Sequence, residues 1–232
     1  MKEELEREKA LIGEEAVKKL QGSFVAIFGL GGVGSYAAEA IARSGVGKIL
    51  LVDNDVVSKS NINRQLCALQ STIGKKKVDV VAERLLDINP DIIIERSYDF
   101  VLPENISNFN FSQFDYIIDA IDTVSAKLAI AESATAHGVP MISSMGTGNK
   151  LDPTALTVTD ITKTTVCPLA RVMRRELKKR GISHLKVVFS KEEPKRLNTD
   201  NVGKLPPASI AFVPSVAGLI AAGEAIKELI KN

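Results

Sequence analysis

Hydrophobic positions follow two alternating patterns along the chain up to about residue 145. Continuous apolar runs predict strands that are buried in a parallel sheet. These runs occupy 24–28, 48–52, 91–96, 116–120 and 140–144. Between them, apolar residues spaced three or four apart predict helices at 33–44, 76–88 and 123–137. This order predicts an α/β, Rossmann-like, doubly wound and mostly parallel sheet with helices on both faces.

The pattern changes to shorter elements after residue 150. We predict an edge strand at 156–161, a basic amphipathic helix at 168–180 and a short strand at 185–190. The polar segment 191–207 contains three prolines and predicts a mobile loop. A short β-like segment at 210–213 and a last helix from Pro214 to Ile230 follow. We predict one domain over 1–232, with a core at 1–150 and a C-terminal extension at 151–232.

The glycines after the first strand indicate a nucleotide-binding turn. Gly29, Gly31 and Gly34 have the G-x-G-x-x-G spacing. The first permits a tight turn, the second lets the backbone approach a phosphate, and the third allows the helix to pack closely on the strand. Asp53 ends the second strand 19 residues later, where an acidic side chain can bind ribose hydroxyls.

Further polar residues favour ATP over NAD as the nucleotide. Arg64 and Lys77 could contact a triphosphate. Asp122 follows the carboxyl end of a strand, where magnesium could be held. Taken singly, the two cations could be surface charges and Asp122 a helix N-cap. Together, at one edge of one sheet, they indicate an ATP site.

Composition limits the classes of function. The chain has 45% hydrophobic and 25% charged residues, as is ordinary for a globular protein. Its two cysteines exclude a disulfide framework and a four-cysteine zinc site. The charged start of the chain contains no signal segment, and the longest apolar stretch is too short to cross a bilayer. We expect a cytoplasmic protein without a membrane partner.

Charge is unevenly distributed although the net charge is only +2. The segment 163–196 contains eleven basic and three acidic residues. Such a block is typical of a polyanion site, or of a solvated helix face. The candidates for contact with RNA are Lys163, Arg171, Arg174, Arg175, Lys178 and Lys179.

Together the motifs resemble the ThiF/MoeB/HesA superfamily of adenylating proteins, which are related to ubiquitin-activating enzymes. They are the glycine run, Asp53-x-Asp55, Ser60-Asn61-x-x-Arg64-Gln65, Lys77 and Asp119-x-x-Asp122. Segments 144–153, 163–171 and 186–190 resemble the tRNA threonylcarbamoyladenosine dehydratase branch. The resemblance implies a nucleotide-binding set of Gly29, Gly31, Gly32, Gly34, Asp53, Asp55, Asn61, Arg64, Lys77 and Asp122.

The resemblance also implies how these residues act. Asp53 would bind the ribose of ATP, Asn61, Arg64 and Lys77 the phosphates, and Asp122 magnesium. Arg7 would reach across a homodimer interface to the phosphates of the partner's ATP. Arg7, Arg64, Lys77 and Asp122 would stabilise charge on the leaving pyrophosphate and form the catalytic set.

The implied reaction is an ATP-dependent, ligase-type tRNA modification. The free carboxylate of threonylcarbamoyladenosine, next to the anticodon, would attack ATP to give an acyl-adenylate and pyrophosphate. Ring closure would then release AMP, so that the nucleoside loses one water overall. The superfamily leaves open a sulfurtransferase-type protein partner and a reactive role for Cys167, whose alternative is a buried small hydrophobe. Two other functions stay open: adenylation of a ubiquitin-like sulfur carrier, and NAD-linked oxidation or nucleotide sensing. The first is usually accompanied by two Cys-x-x-Cys pairs, which this sequence does not contain.

Overall fold

A seven-stranded sheet forms the centre of the molecule in the computed structural model, which describes residues 3–195 and 207–231. Its strands are β1 (Phe24–Phe28), β2 (Lys48–Val52), β3 (Ile93–Ser97), β4 (Tyr116–Asp119), β5 (Met141–Ser144), β6 (Leu156–Asp160) and β7 (Lys186–Ser190). They lie in the order β3-β2-β1-β4-β5-β7-β6. Only β6 runs antiparallel to its neighbour, and it lies at the edge as the sequence predicts.

Helices cover both faces of this sheet, which confirms the predicted fold class. They are α1 (Glu6–Ile12), α2 (Glu14–Gly22), α3 (Gly34–Arg43), α4 (Lys77–Ile88), α5 (Val124–His137), α6 (Pro168–Lys179) and α7 (Phe212–Leu229). Alternate side chains of β1 point to opposite faces, as the pleat requires. Val25 and Ile27 join the core shared with α3, α4 and α7. Phe24 and Phe28 join the core shared with α5.

The start of α7 differs from the sequence prediction. Residues 210–213 were expected to be β-like and Pro214 to begin the helix, whereas α7 begins at Phe212. Both expectations are wrong because Pro214 falls in the first helical turn, where a backbone N–H would have no intrahelical partner. Most of the predicted loop 191–207 lies outside the described residues.

Close contact between α7 and α3 brings the C-terminal helix to the glycine turn. A Cβ atom on Gly218 would lie 2.2 Å from the backbone oxygen of Val33, and one on Gly32 would lie 3.1 Å from Cβ of Pro214. The C-terminal extension therefore packs on the nucleotide-binding core. No helix among residues 3–195 and 207–231 is long and apolar enough to cross a membrane.

Candidate nucleotide-binding site

A cleft of about 720 Å³ opens at the carboxyl ends of the central strands. Residues that follow β1, β2, β4 and β5 line it. The strand order changes direction between β1 and β4, and open parallel sheets bind ligands at such a point. The cleft therefore occupies the position that the glycine motif predicts for a nucleotide.

The glycines of the turn differ in what a side chain at each position would contact. Gly29 has a φ of +88°, and a Cβ atom there would lie 2.9 Å from the backbone of Ala120. A Cβ atom on Gly34 would lie 1.7 Å from the backbone oxygen of Gly29. On Gly31 the nearest atom would be Nε2 of Gln65 at 3.8 Å. Gly29 and Gly34 are therefore required by the fold, whereas Gly31 leaves its face open toward the cleft.

Two aspartates and a buried lysine form the adjoining wall. Asp53 accepts hydrogen bonds from the N–H groups of Leu30 at 2.6 Å and Asp55 at 2.9 Å. Lys77 Nζ lies 2.6 Å from Asp55 Oδ2 and 3.8 Å from Asp53 Oδ1. Burial raises the pKa of Asp53, and the Lys77 ammonium and the two N–H donors partly offset that rise. The ammonium group of Lys77, a predicted phosphate residue, thus lies close to both Asp55 and Asp53, the predicted ribose residue.

The segment from Asn61 to Gln65 packs against the glycine turn. Asn61 Oδ1 accepts a hydrogen bond from the N–H of Ser58 at 3.0 Å. Arg64 Nη1 donates to the backbone oxygen of Ser60 at 3.0 Å and to Asn63 Oδ1 at 2.9 Å. Within the described chain these bonds use only Nη1, so Nε and Nη2 of Arg64 can donate to a ligand.

Asp122 lies exposed at the edge of the cleft, and in the sequence it stands between the two members of a buried ion pair. Lys127 Nζ is 2.9 Å from Asp119 Oδ2, and both side chains are 0% exposed. The residues that the structure describes contain no group of three or more His, Cys, Asp and Glu that could hold a metal ion. A magnesium ion at Asp122 would fit the usual arrangement of one or two carboxylates with substrate phosphates and water.

The predicted RNA-binding residues separate into two kinds. Lys163, Arg171, Arg175, Lys178 and Lys179 are exposed, and we refer to these five as the basic face. Arg174 is half-buried, and its Nη1 donates to Thr164 Oγ1 at 2.7 Å and to the Thr164 backbone oxygen at 3.0 Å. Its guanidinium holds the turn before α6.

Arg7 lies far from the cleft of its own chain. It is exposed on α1, next to Leu5, whose side chain packs against Gly45 at the end of α3. The glycine turn is at the other end of α3, about 15 Å away for ten residues at 1.5 Å each. Arg7 does not line the cleft among the described residues.

Two further groups lie behind the far end of the cleft, which is the end that Gly146, Gly148 and Leu169 line. Cys167 is buried and would be 3.8 Å from a Cβ atom on Gly146, which lines the cleft. Lys150 is 3% exposed, and within the described residues its Nζ has no hydrogen-bond partner. Burial lowers the pKa of Lys150, and the nearby Cys167 and Glu192 partly offset that effect.

A model of the ThiF family matches residues 5–232. The chain belongs to the ThiF family. Its similarity to one curated relative extends over the whole chain. The chain is 44% identical to a tRNA threonylcarbamoyladenosine dehydratase of Bacillus subtilis, with 100% of this chain and 96% of that protein covered.

Comparison with solved structures finds similarity to enzymes of the same name. A crystal structure of Escherichia coli tRNA N6-threonylcarbamoyladenosine dehydratase in complex with ATP is 35% identical, with a TM-score of 0.88. The match covers 96% of this chain and 92% of that chain. A structure of the same E. coli enzyme in complex with AMP matches with the same identity, TM-score and coverage.

The structure places most of the predicted ThiF-type site residues at one cleft. The glycines, Asp53, Asp55, Asn61, Arg64, Lys77 and Asp122 all line it except Gly34, which packs beneath. Sequence reasoning missed Lys127 and Lys150. The sequence does contain a signal for Lys127, which is the charged residue in the otherwise apolar stretch 126–131 of α5.

Proposed function

We propose that this chain is an ATP-dependent tRNA threonylcarbamoyladenosine dehydratase. The observation that carries the proposal is the cleft at the carboxyl ends of the strands. There Gly31 leaves room for a phosphate, and Asp53, Arg64, Lys77 and Asp122 lie around it. The similarity over the whole chain to dehydratases, one of them in complex with ATP, supports the same activity.

ATP supplies the phosphorus atom that activates the substrate carboxylate, with release of pyrophosphate. Ring closure then releases AMP, which keeps one oxygen of the carboxylate, so that the nucleoside loses the elements of one water. Asp53 orients the nucleotide, because its carboxylate is held by two backbone N–H donors and can still accept from ribose hydroxyls. Arg64 and Lys77 stabilise the charge that moves to the pyrophosphate as it leaves. Asp55 pairs with Lys77 at 2.6 Å, and we infer that phosphates of a bound nucleotide draw the ammonium away from it.

Magnesium and a second copy of the chain complete the proposed site. Asp122 would hold Mg²⁺ together with the phosphates, as argued above. Arg7 lies too far from its own cleft to act there, so its proposed role requires a homodimer in which it reaches the partner's ATP. A sulfurtransferase-type partner and a cytoplasmic location stay predictions of the sequence.

The basic face is the proposed tRNA-binding surface. Its five cations extend over α6 and the turn before it, and α6 begins beside the far end of the cleft, where Leu169 is a lining residue. Phosphate contacts fix the position of a nucleic acid on a protein. A tRNA on this face would therefore lie next to the end of the cleft that Leu169 lines.

Incubation with ATP, Mg²⁺ and tRNA that carries threonylcarbamoyladenosine tests this function. Mass spectrometry of the digested nucleosides should show the loss of one water, with AMP and pyrophosphate as co-products. Asp122→Asn should abolish turnover, whereas Asp91→Asn, at an exposed position outside the cleft, should not. An unchanged nucleoside, with pyrophosphate exchange that depends instead on a sulfur-carrier protein, would overturn the proposal.

A further inference from the structure

The buried ion pair between α5 and β4 lies directly behind the nucleotide cleft. Lys127 and Asp119 are both 0% exposed, and the chain neighbours of Lys127, Ala126 and Leu128, belong to clusters of buried apolar side chains. Removing two charges from water costs free energy that their attraction does not reliably return. A pair in this position therefore requires a reason beyond the stability of the core.

Two hydrogen bonds of the pair converge on one short turn. Asp119 Oδ2 accepts from Ser143 Oγ at 2.6 Å, and Asp119 Oδ1 accepts from the N–H of Ile121 at 3.2 Å. Lys127 Nζ donates to the backbone oxygen of Ile121 at 3.0 Å. Both polar groups of Ile121 are thus held by the pair, and its carbonyl belongs to the peptide bond that leads to Asp122.

The turn has no room to move toward the nucleotide-binding glycines. A Cβ atom on Gly29 would lie 2.9 Å from the carbonyl carbon of Ala120 and 3.0 Å from the nitrogen of Ile121. The glycine turn blocks one side of residues 120–121, and the ion pair anchors them from the other. Asp122 follows at the edge of the cleft, and among residues 3–195 and 207–231 its side chain has only a long contact, 3.4 Å, with Thr123 Oγ1.

We propose that Lys127 is a positioning residue that fixes the turn 120–122 and thereby directs the Asp122 carboxylate toward Mg²⁺. The part that concerns Mg²⁺ rests on the proposed function, whereas fixation of the turn does not. Residues that hydrogen-bond to metal ligands or orient them commonly change metal affinity by about 10- to 100-fold when they are replaced. Lys127 acts one step further back, through the backbone.

The test uses Lys127→Met, which keeps an unbranched side chain, one atom shorter, and removes its charge. Because this change leaves Asp119 as an uncompensated buried charge, the double variant Asp119→Asn/Lys127→Met is made in parallel. Leu85→Ala is the matched control, since Leu85 is a buried residue of α4 outside the cleft and its truncation lowers stability in general. All variants are compared below their melting temperatures.

Two measurements are made on each folded variant. Hydrogen exchange by mass spectrometry, on peptides that cover 119–124, should become about tenfold faster or more in both Lys127 variants and stay unchanged in Leu85→Ala, because hydrogen bonds to a charged group are lost. Titration of Mg²⁺ against binding of a fluorescent ATP analogue should require about 10- to 100-fold more Mg²⁺ in the Lys127 variants. Binding of the analogue in EDTA should stay close to wild type.

The outcomes separate this inference from the proposed function. Exchange at 119–124 equal to that of Leu85→Ala would overturn the role of Lys127. Faster exchange with an unchanged Mg²⁺ requirement in the Lys127 variants, while Asp122→Asn raises that requirement, would overturn the orientation of Asp122 by Lys127. If Asp122→Asn does not change the requirement either, the magnesium role within the proposed function fails, and fixation of the turn by Lys127 stands on the exchange data.

Discussion

Alanine at Gly31 and at Gly34 should have opposite effects, although both are glycines of one motif. A Cβ atom on Gly34 would lie 1.7 Å from the backbone oxygen of Gly29, which cannot move without shifting the turn. Overpacking of this kind costs about 1–3 kcal/mol and occasionally more. A Cβ atom on Gly31 would meet nothing closer than 3.8 Å, and Gly31 has no positive φ. Gly31→Ala should therefore change stability by no more than about 1 kcal/mol.

For ATP binding the order should be reversed, with Gly31→Ala as the more damaging change. The added methyl group of Gly31→Ala would occupy the space where a phosphate approaches the backbone. A hydrogen bond to a charged group contributes about 1.5–3 kcal/mol, so the loss of one such bond should weaken ATP binding by about 10- to 100-fold. Gly34 does not line the cleft, and its replacement acts through the fold.

Thermal melts and calorimetric titration of ATP check both expectations. For a chain of this size, 1 kcal/mol shifts the melting temperature by about 2–4 °C. Gly34→Ala should therefore melt at least several degrees lower, while Gly31→Ala melts near wild type. Normal ATP affinity in Gly31→Ala would refute the placement of the phosphates at this turn. A wild-type melting temperature for Gly34→Ala would refute the packing argument.

Three further predictions concern charged side chains. Lys77→Met should lose most ATP affinity, as measured by titration, whereas Lys76→Met at the exposed neighbouring position should bind ATP normally. Lys150→Met should raise the melting temperature at neutral pH, because a buried ammonium without a hydrogen-bond partner, as Lys150 is within the described residues, costs about 1–3 kcal/mol. The pKa of Lys150 is lower in the folded chain than in the unfolded chain, where it is about 10.5. Between these two pKa values the free energy of unfolding of the wild type rises with pH, so the gain in melting temperature from Lys150→Met should shrink there. A gain that does not change with pH would contradict this prediction. The double variant Arg171→Ala/Lys178→Ala should weaken tRNA binding and reduce the slope of log affinity against log salt by about 2, and an unchanged slope would exclude these contacts.

Most of the fold was predictable because its signals are local. A buried strand needs only a continuous apolar run, and the observed strands β1 and β2 coincide with the predicted segments. The glycine turn was predictable for the same reason, since φ at Gly29 and the approach of Gly34 depend on residues close in sequence. The start of α7 was predicted wrongly because a proline inside a first turn looks the same in sequence as one that begins a helix.

The alternation of apolar runs and helical spacings is sufficient to predict a mostly parallel sheet and the edge at which most of the site residues meet, because parallel strands bring their carboxyl ends to one edge. The burial of charges, in contrast, was visible only in the folded chain. The tertiary structure buries Lys127 with Asp119, leaves Lys150 without a partner in the described chain, and joins Arg174 to Thr164 instead of exposing it. Burial depends on what packs against a side chain from distant parts of the chain, and a linear pattern of charges contains no such information. For the same physical reason, the separation of Arg7 from its own cleft became visible only in the folded chain.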